Sequence, residues 1–198
     1  MASQSVLGVP EGPYLEYSDE EGLNHFRHIC RQLSDAGFEI KPVPAMPDFA
    51  AIYKRHNLIV AAEAARFHHN WFVEHKASYH AKTVELIERG LAVSDEALAE
   101  AINGRSRLRS ELTNLMFAQE LDLWLSPPAP GAAPKGLEST GDPVMNLPWT
   151  HSGLPTVTVP AGTNEAGLPL GLQLTGHWYA DEDLLDFAQQ IEYVLDNQ

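Results

Sequence analysis

The side chains best suited to bind a small molecule lie in one turn-rich stretch, Ser139 to Gly176. Glycine and proline recur every few residues there, which favours turns over a long helix. A compact polar and aromatic set opens the stretch: Asp142, Asn146, Trp149, Thr150 and His151. Amide, hydroxyl and carboxylate groups beside a flat aromatic ring are typical of small-molecule pockets. The segment 141–152 is therefore a candidate pocket wall.

Two apolar runs follow this set and predict a hairpin. Residues 156–160 and 170–175 are rich in β-branched and apolar side chains, which favours strands. Between them, Gly162, Asn164 and Gly167 supply turn residues for a reversal. Each run is introduced by the same tripeptide, Gly-Leu-Pro.

Strands and helices alternate in the rest of the chain. Further strands are predicted near 6–9, 38–43 and 121–125. Helices are predicted from a capping box at Ser18 to Ala36 and over 82–89 with a stop at Gly90. Three more are predicted after N-caps at Asp48 (to His75), at Ser94 (to Gln119) and at Asp181. The first strand–helix–strand unit should have parallel strands. This order predicts an α/β fold, a mixed sheet flanked by helices on both faces.

The domain prediction is one α/β domain over residues 1–198. Its most proline-rich stretch, 126–136, could be an interdomain linker or a rigid loop leaving a strand end. The helices before it and the strands after it need each other to form a core, which favours the loop. Loops at strand ends build ligand sites in such folds, so 126–136 is a second candidate wall.

A set of short motifs carries a family resemblance. They are Thr140-Gly141-Asp142, Asn146-Leu147-Pro148-Trp149-Thr150, Gly153-Leu154-Pro155, Pro160-Ala161-Gly162, and Gly167-Leu168-Pro169 through Gln173. In this order and spacing the chain resembles the C-terminal half of the amidase signature family. The resemblance begins near Leu7 and implies the α/β fold of that half.

The resemblance also implies a chemistry that needs no cofactor. Such enzymes hydrolyse carboxamides to acid and ammonia through a serine nucleophile, a second serine joined through a cis peptide, and a lysine base. Backbone amides of a Gly/Ser-rich loop stabilise the oxyanion. This chain has no such loop and no adjacent serines. The resemblance therefore predicts that the catalytic half is absent and that this chain alone is inactive.

The same resemblance places the acyl side of the substrate pocket in the present chain. Asn146, Trp149 and Thr150 are the predicted substrate-binding residues, with Trp149 as a flat wall. The alternative is that Trp149 belongs to the core and that Asn146 and Thr150 satisfy buried backbone groups. The sequence leaves both interpretations open.

Composition narrows the partners and the compartment. The net charge of −14 disfavours binding to nucleic acid or to an anionic membrane surface. The single cysteine, Cys30, excludes an intrachain disulfide and suits a reducing compartment. No apolar run approaches the ~20 residues of a membrane-spanning helix, and the N-terminus lacks a secretory signal pattern. The expected location is the cytoplasm.

Two other sets of residues suggest sites but lack the required spacing. His68, His69, His75 and His80 crowd together without a zinc-binding pattern, so no metal site is predicted. A Ser-His-Asp set can be drawn from Ser152, His151 or His177, and Asp142 or Asp181. Nine histidines and many acids supply such sets by chance.

Three functions remain open from the sequence. The first is the C-terminal part of an amidase acting on a small-molecule amide, with an open pocket, an unpaired sheet edge and possible self-association. The second is a non-catalytic binding or regulatory module. The third is a partner subunit that completes a separately encoded catalytic half.

Overall fold

The computed structural model describes residues 5–197 of the chain. This part contains five β-strands and six α-helices, joined by loops and turns. Residues 1–4, which belong to the N-terminus searched for a secretory signal, lie outside this part. The strands are β1 (Val6–Glu11), β2 (Glu39–Pro44), β3 (Leu123–Ser126), β4 (Thr156–Thr163) and β5 (Pro169–Thr175). The helices are α1 (Glu20–Asp35), α2 (Phe49–His75), α3 (Ala81–Leu91), α4 (Asp95–Gln119), α5 (Leu147–Ser152) and α6 (Asp181–Asp196).

The strands form one mixed sheet in the order β2-β1-β3-β5-β4. Strand β1 pairs in parallel with β2 and β3, whereas β5 is antiparallel to both β3 and β4. The predicted parallel β1–α1–β2 unit and the predicted hairpin are therefore confirmed. Because β4 runs in the same direction as β1, β2 and β3, the carboxyl ends of these four strands lie at one edge of the sheet.

One face of the sheet is covered by α1 and α6. Leu125, Leu172 and Leu174 point to this face and pack with Phe26 of α1 and Ile191 of α6 in one buried cluster. Cys30 lies at the margin of that cluster, and burial raises the pKa of its thiol to about 12. The opposite face receives the alternate side chains, among them buried Trp124 and Gln173. The predicted α/β class, a mixed sheet flanked by helices, is confirmed.

The described residues divide into two compact units. A sheet unit comprises residues 5–49 and 108–197, and a helical unit comprises residues 50–107. Whether the two units fold as the single predicted domain stays a prediction, because compactness alone does not measure cooperative folding. Among residues 5–197, no helix has the length and apolar character needed to cross a bilayer.

The helical unit has its own small cores. Ile59 and Ala62 of α2 pack with Leu98 and Ala101 of α4 in one cluster. A second cluster joins Ala65 and Phe72 of α2 to Ile87 of α3. At Gly90 the backbone of α3 comes close to α2, since a Cβ built on it would meet the Ala61 carbonyl oxygen at 1.9 Å.

Three predicted helix ends differ from the structure. Asp19 rather than Ser18 caps α1, because its carboxylate accepts the Gly22 amide at 2.7 Å. Gly90 lies inside α3 rather than after it, since its missing side chain admits the neighbouring helix. Helix α6 begins at Asp181 after an N-cap at Ala180 without a side-chain cap. The short helix α5 was not predicted, because two prolines and a glycine within eight residues resemble a loop.

Candidate functional site

The candidate site lies at the sheet edge where β1, β2, β3 and β4 end. The loop after β1 contributes Tyr14, and the chain leaving β3 contributes the proline-rich loop and then the segment from Asp142 to Gly153. Loops leaving the carboxyl ends of strands are the usual place for ligand sites in α/β sheets. Both predicted walls, 126–136 and 141–152, leave this edge.

The proline-rich loop is held against the start of α1. The Pro130 carbonyl accepts hydrogen bonds from the Asp19 amide and the Ser18 hydroxyl, both at 2.8 Å. Two glycines make this approach possible. A Cβ on Gly22 would lie 2.3 Å from the Pro130 oxygen, and one on Gly131 would lie 1.9 Å from the Asp19 carboxylate. The first part of the loop is therefore packed against the start of α1, and the choice between a linker and a rigid loop stays a prediction.

A buried polar network fixes the second wall. The Tyr14 hydroxyl donates to the Met145 carbonyl at 2.7 Å and accepts from the Trp149 indole N–H at 3.1 Å. The Gln173 amide donates to the Ser126 hydroxyl at 2.9 Å. Burial raises the pKa of Tyr14, and its hydrogen bonds to Ser126 and Trp149 oppose that rise only in part. The tyrosine is therefore neutral and serves as a hydrogen-bonded bridge between the loop after β1 and α5.

The predicted substrate-binding residues occupy two environments. Asn146 and Thr150 are exposed, and the Thr150 amide donates to the Asn146 carbonyl at 3.0 Å across one helical turn. Residues four apart share one face of a helix, so the two side chains lie on the same side of α5. The side-chain amide of Asn146 also donates to the Pro128 carbonyl at 2.8 Å, which links α5 to the proline-rich loop.

Trp149 points the other way. Its side chain is 1% exposed, and its ring meets Tyr14 edge-on with centroids 5.9 Å apart. In the described residues Trp149 thus lies beneath the face that carries Asn146 and Thr150. Direct contact between any of these three residues and a substrate stays a prediction.

The groups of the chance Ser-His-Asp set have other contacts. The Ser152 hydroxyl is buried and donates to the Trp149 carbonyl at 2.9 Å. Asp142 accepts the Val144 amide at 2.9 Å, and His177 Nε2 lies 3.1 Å from the Leu121 carbonyl. These contacts give Ser152, Asp142 and His177 structural partners.

Two histidines of the predicted cluster, His68 and His75, lie beside polar partners. His68 Nδ1 lies 3.0 Å from the Tyr79 hydroxyl, and His75 Nε2 lies 3.7 Å from the Glu74 carboxylate. Within residues 5–197, no group of three or more His, Cys, Asp or Glu side chains is placed to hold a metal ion.

The space beside the proline-rich loop is small. A cavity of about 70 Å³ lies among Gly22, His25, Pro128 and Gly171. Burial lowers the pKa of His25, so its imidazole is neutral near pH 7. Small-molecule pockets have volumes of about 300 Å³ or more. This cavity therefore has room for a few water molecules, and a substrate would have to lie outside it.

Tyr14 is the component that sequence reasoning missed. It follows β1 in a loop, and its partners are 131 and 135 residues away along the chain. A lone tyrosine after Gly-Pro carries no local signal of such a role. Its complete burial, at 0% exposure, with two hydrogen bonds becomes evident only when β1 and β3 are placed side by side.

Removal of the Tyr14 hydroxyl tests the network. Tyr14→Phe leaves the Met145 carbonyl and the Trp149 N–H without this partner, and each buried unsatisfied group costs about 1–3 kcal/mol. We expect the free energy of unfolding, measured by urea denaturation, to fall by about 2–3 kcal/mol. Tyr193→Phe, at a position that is 70% exposed, is the matched control and should change it by less than about 0.5 kcal/mol. Equal effects of the two substitutions would contradict the network.

The comparisons with known proteins agree on one family. A family model described as Amidase matches residues 2–185. The A-subunit of the glutamyl-tRNA(Gln) amidotransferase of Parvibaculum lavamentivorans is 43% identical over 84 residues, which is 39% of this chain and 17% of that protein. Its counterpart from Nostoc sp. is 31% identical over 120 residues, or 54% of this chain and 25% of that protein.

Solved structures match nearly the whole chain. An amidase crystal structure superposes on this chain with a TM-score of 0.86 at 27% sequence identity. The superposition includes 98% of this chain and 47% of the amidase chain. The peptide amidase of Stenotrophomonas maltophilia superposes with a TM-score of 0.73 at 21% sequence identity, which shows that the fold is shared. This superposition includes 97% of the present chain and 43% of the peptide amidase chain. The chain thus spans less than half the length of the relatives that it matches.

Proposed function

Because the chain belongs to the Amidase family, we propose that it forms the acyl-side wall of the substrate pocket of an amide hydrolase whose serine–serine–lysine set lies in another segment. The observation that carries the proposal is the shared outer face of Asn146 and Thr150. This face is held at the strand-end edge by the network beneath it. The absence of adjacent serines from the 198-residue sequence supports a separate source for the nucleophile.

The proposed role of this wall is to position the acyl group. Asn146 and Thr150 offer an amide and a hydroxyl, which can accept and donate hydrogen bonds to a carboxamide substrate. Trp149 and Tyr14 beneath them fix the height and orientation of α5. A wall fixed before binding loses little entropy when a substrate docks, and well-placed reactants react faster.

The proposed reaction is hydrolysis of a carboxamide. A serine oxygen supplied by the other segment attacks the amide carbon, the C–N bond breaks, and the nitrogen leaves as ammonia after taking a proton from the lysine-linked serine pair. Water then hydrolyses the acyl-enzyme to the acid. The residues of this chain hold the acyl group during both steps. The single cysteine is in keeping with action in the cytoplasm.

Two forms of the proposal differ in where the catalytic segment is encoded. The relatives from Parvibaculum and Nostoc are named as A-subunits of an amidotransferase, and the match to this chain covers 17% and 25% of their lengths, so most of each relative lies outside the shared part. A catalytic segment encoded separately would make this chain a subunit that completes an active site. A catalytic segment encoded in the same reading frame would make it one half of a longer enzyme. Both forms assign the acyl wall to this chain.

A chimera tests the acyl wall. The part of the solved amidase without a counterpart here would be joined to this chain, since the chain covers 47% of that enzyme. Asn146→Ala and Thr150→Val should each lower kcat/KM for lactamide, whose acyl group carries a hydroxyl, about tenfold, the equivalent of one lost hydrogen bond. Ammonia release gives the rates. The loss should be smaller for propionamide, because its acyl group lacks the hydroxyl that the two side chains would bind.

Controls distinguish a role of Asn146 and Thr150 in binding the acyl group from a role in stabilising the fold. Asn197→Ala alters an exposed amide at the end of α6 and should leave kcat/KM unchanged. A structural defect at Asn146 would reduce the active fraction equally for both amides. Equal losses for the two substrates, or unchanged kinetics in both variants, would contradict the acyl-wall assignment.

A further inference from the structure

Helix α2 has apolar side chains on two opposite sides. One side is buried in the cores of the helical unit, with Ala62 and Phe72 almost fully covered. The other side presents Val60, Phe67 and Trp71, which are 39%, 71% and 53% exposed. Their spacings of seven and four residues place all three in one row, with half-buried Ala64 between the first two. We call Val60, Ala64, Phe67 and Trp71 the α2 stripe. A surface helix normally keeps this side polar.

The aromatic side chains of the stripe pack against one another and against His68. Phe67 meets Trp71 edge-on with ring centroids 5.6 Å apart, and it meets His68 at 5.1 Å. His68 is held in turn by the Tyr79 hydroxyl at 3.0 Å. Side chains that are fixed before association lose little rotamer entropy on binding. The α2 stripe therefore has the properties of an interface anchor, in which aromatic residues are enriched.

The distribution of net charge favours the helical unit as the contact surface between two copies of this acidic chain. Residues 50–107 contain eight Lys and Arg and seven Asp and Glu, a net charge of +1. The rest of the chain contains five Lys and Arg and twenty Asp and Glu, a net charge of −15. Contact between two sheet units would bring charges of one sign together, which is costly. Contact between two helical units avoids this repulsion.

The order of residues in the stripe is self-complementary. We infer that two copies of this chain pair through the α2 stripe, with their α2 helices antiparallel about a two-fold axis midway between Ala64 and Phe67. Such an axis places Phe67 of one copy opposite Ala64 of the other and Trp71 opposite Val60, so that each large side chain meets a smaller one. All four members of the stripe are then paired within the stripe. The contact uses the same patch on both copies and therefore closes as a dimer.

Sedimentation velocity of this chain at several concentrations tests the pairing. We expect a monomer of 21.8 kDa at low concentration and a dimer by about 100 µM. Phe67→Glu and Trp71→Glu should each weaken dimerisation at least tenfold, because a charge would be buried against apolar side chains. Both positions are exposed, so circular dichroism should show unchanged folding. Phe67→Leu keeps the apolar contact and should retain the dimer.

The control is an exposed aromatic residue of the sheet unit. Tyr193 is 70% exposed, and Tyr193→Glu should leave dimerisation unchanged. A wild-type chain that stays monomeric at all concentrations would overturn the inference and assign the stripe to another polypeptide. A dimer that both glutamate variants retain would also overturn it, because the contact would then lie on another surface.

Discussion

Replacing Trp149 by alanine is expected to lower the free energy of unfolding by about 3–5 kcal/mol. The ring is 1% exposed and packs edge-on against Tyr14, so its removal leaves a cavity that the neighbouring side chains cannot fill. The substitution also removes the N–H that donates to the Tyr14 hydroxyl at 3.1 Å. Urea denaturation monitored by circular dichroism measures the change.

Trp178→Ala is the matched control for this variant. Trp178 is 46% exposed, and its ring lies beneath the Arg109 guanidinium at 4.0 Å. Loss of this partly exposed contact should cost about 1 kcal/mol or less. Trp149→Phe retains most of the packing but removes the donor, so its cost should fall between the two. A Trp149→Ala variant as stable as Trp178→Ala would contradict the buried position of the ring.

Replacing Gly90 by alanine is expected to lower the free energy of unfolding by about 3 kcal/mol. A methyl group there would lie 1.9 Å from the Ala61 carbonyl oxygen and 2.7 Å from the Ala65 Cβ. Those atoms belong to the backbone and to a short side chain of α2, which cannot rotate away. Helices α2 and α3 must therefore move apart and lose packing between Ala65 and Ile87. This outcome is opposite to the gain that alanine usually brings inside a helix.

Leu91→Ala provides the comparison at the next position of α3. Leu91 is 56% exposed, and its truncation should change stability by about 1 kcal/mol or less. Thermal unfolding of both variants, followed at 222 nm, gives the ranking. A Gly90→Ala protein that is as stable as the wild type would show that α2 and α3 are farther apart than the structure places them.

Local sequence signals predict the regular elements because those signals act within a few residues. The alternation in 156–160 and 170–175, with glycines between, corresponds to β4 and β5 within a few residues. The parallel pairing of β1 and β2 follows from the helix that connects them. The predicted ends of helices differ from the structure where tertiary contacts determine them. A glycine at this position of the sequence resembles a helix stop. In the structure Gly90 lies inside α3, where a residue without a side chain is needed beside the Ala61 carbonyl.

The candidate site was predictable only in part, because its residues are joined across long stretches of sequence. The polar set of the 141–152 segment indicates a pocket wall, and the structure places Asn146 and Thr150 on an exposed face. The direction of Trp149 is set by Tyr14, which lies 135 residues earlier. The sequence alone does not distinguish an aromatic residue that lines a pocket from one that belongs to the core. Burial and hydrogen-bond partners distinguish them, and those depend on the strand order of the sheet.

Ammonia release is the most direct test of a catalytic set outside this sequence. The 198-residue chain and the chimera with the unmatched part of the solved amidase would be assayed with acetamide and benzamide at equal concentration. The account predicts release by the chimera, no release by the chain, and loss of activity when the nucleophilic serine of the added segment is changed to alanine. Steady ammonia release by the chain alone would contradict the account.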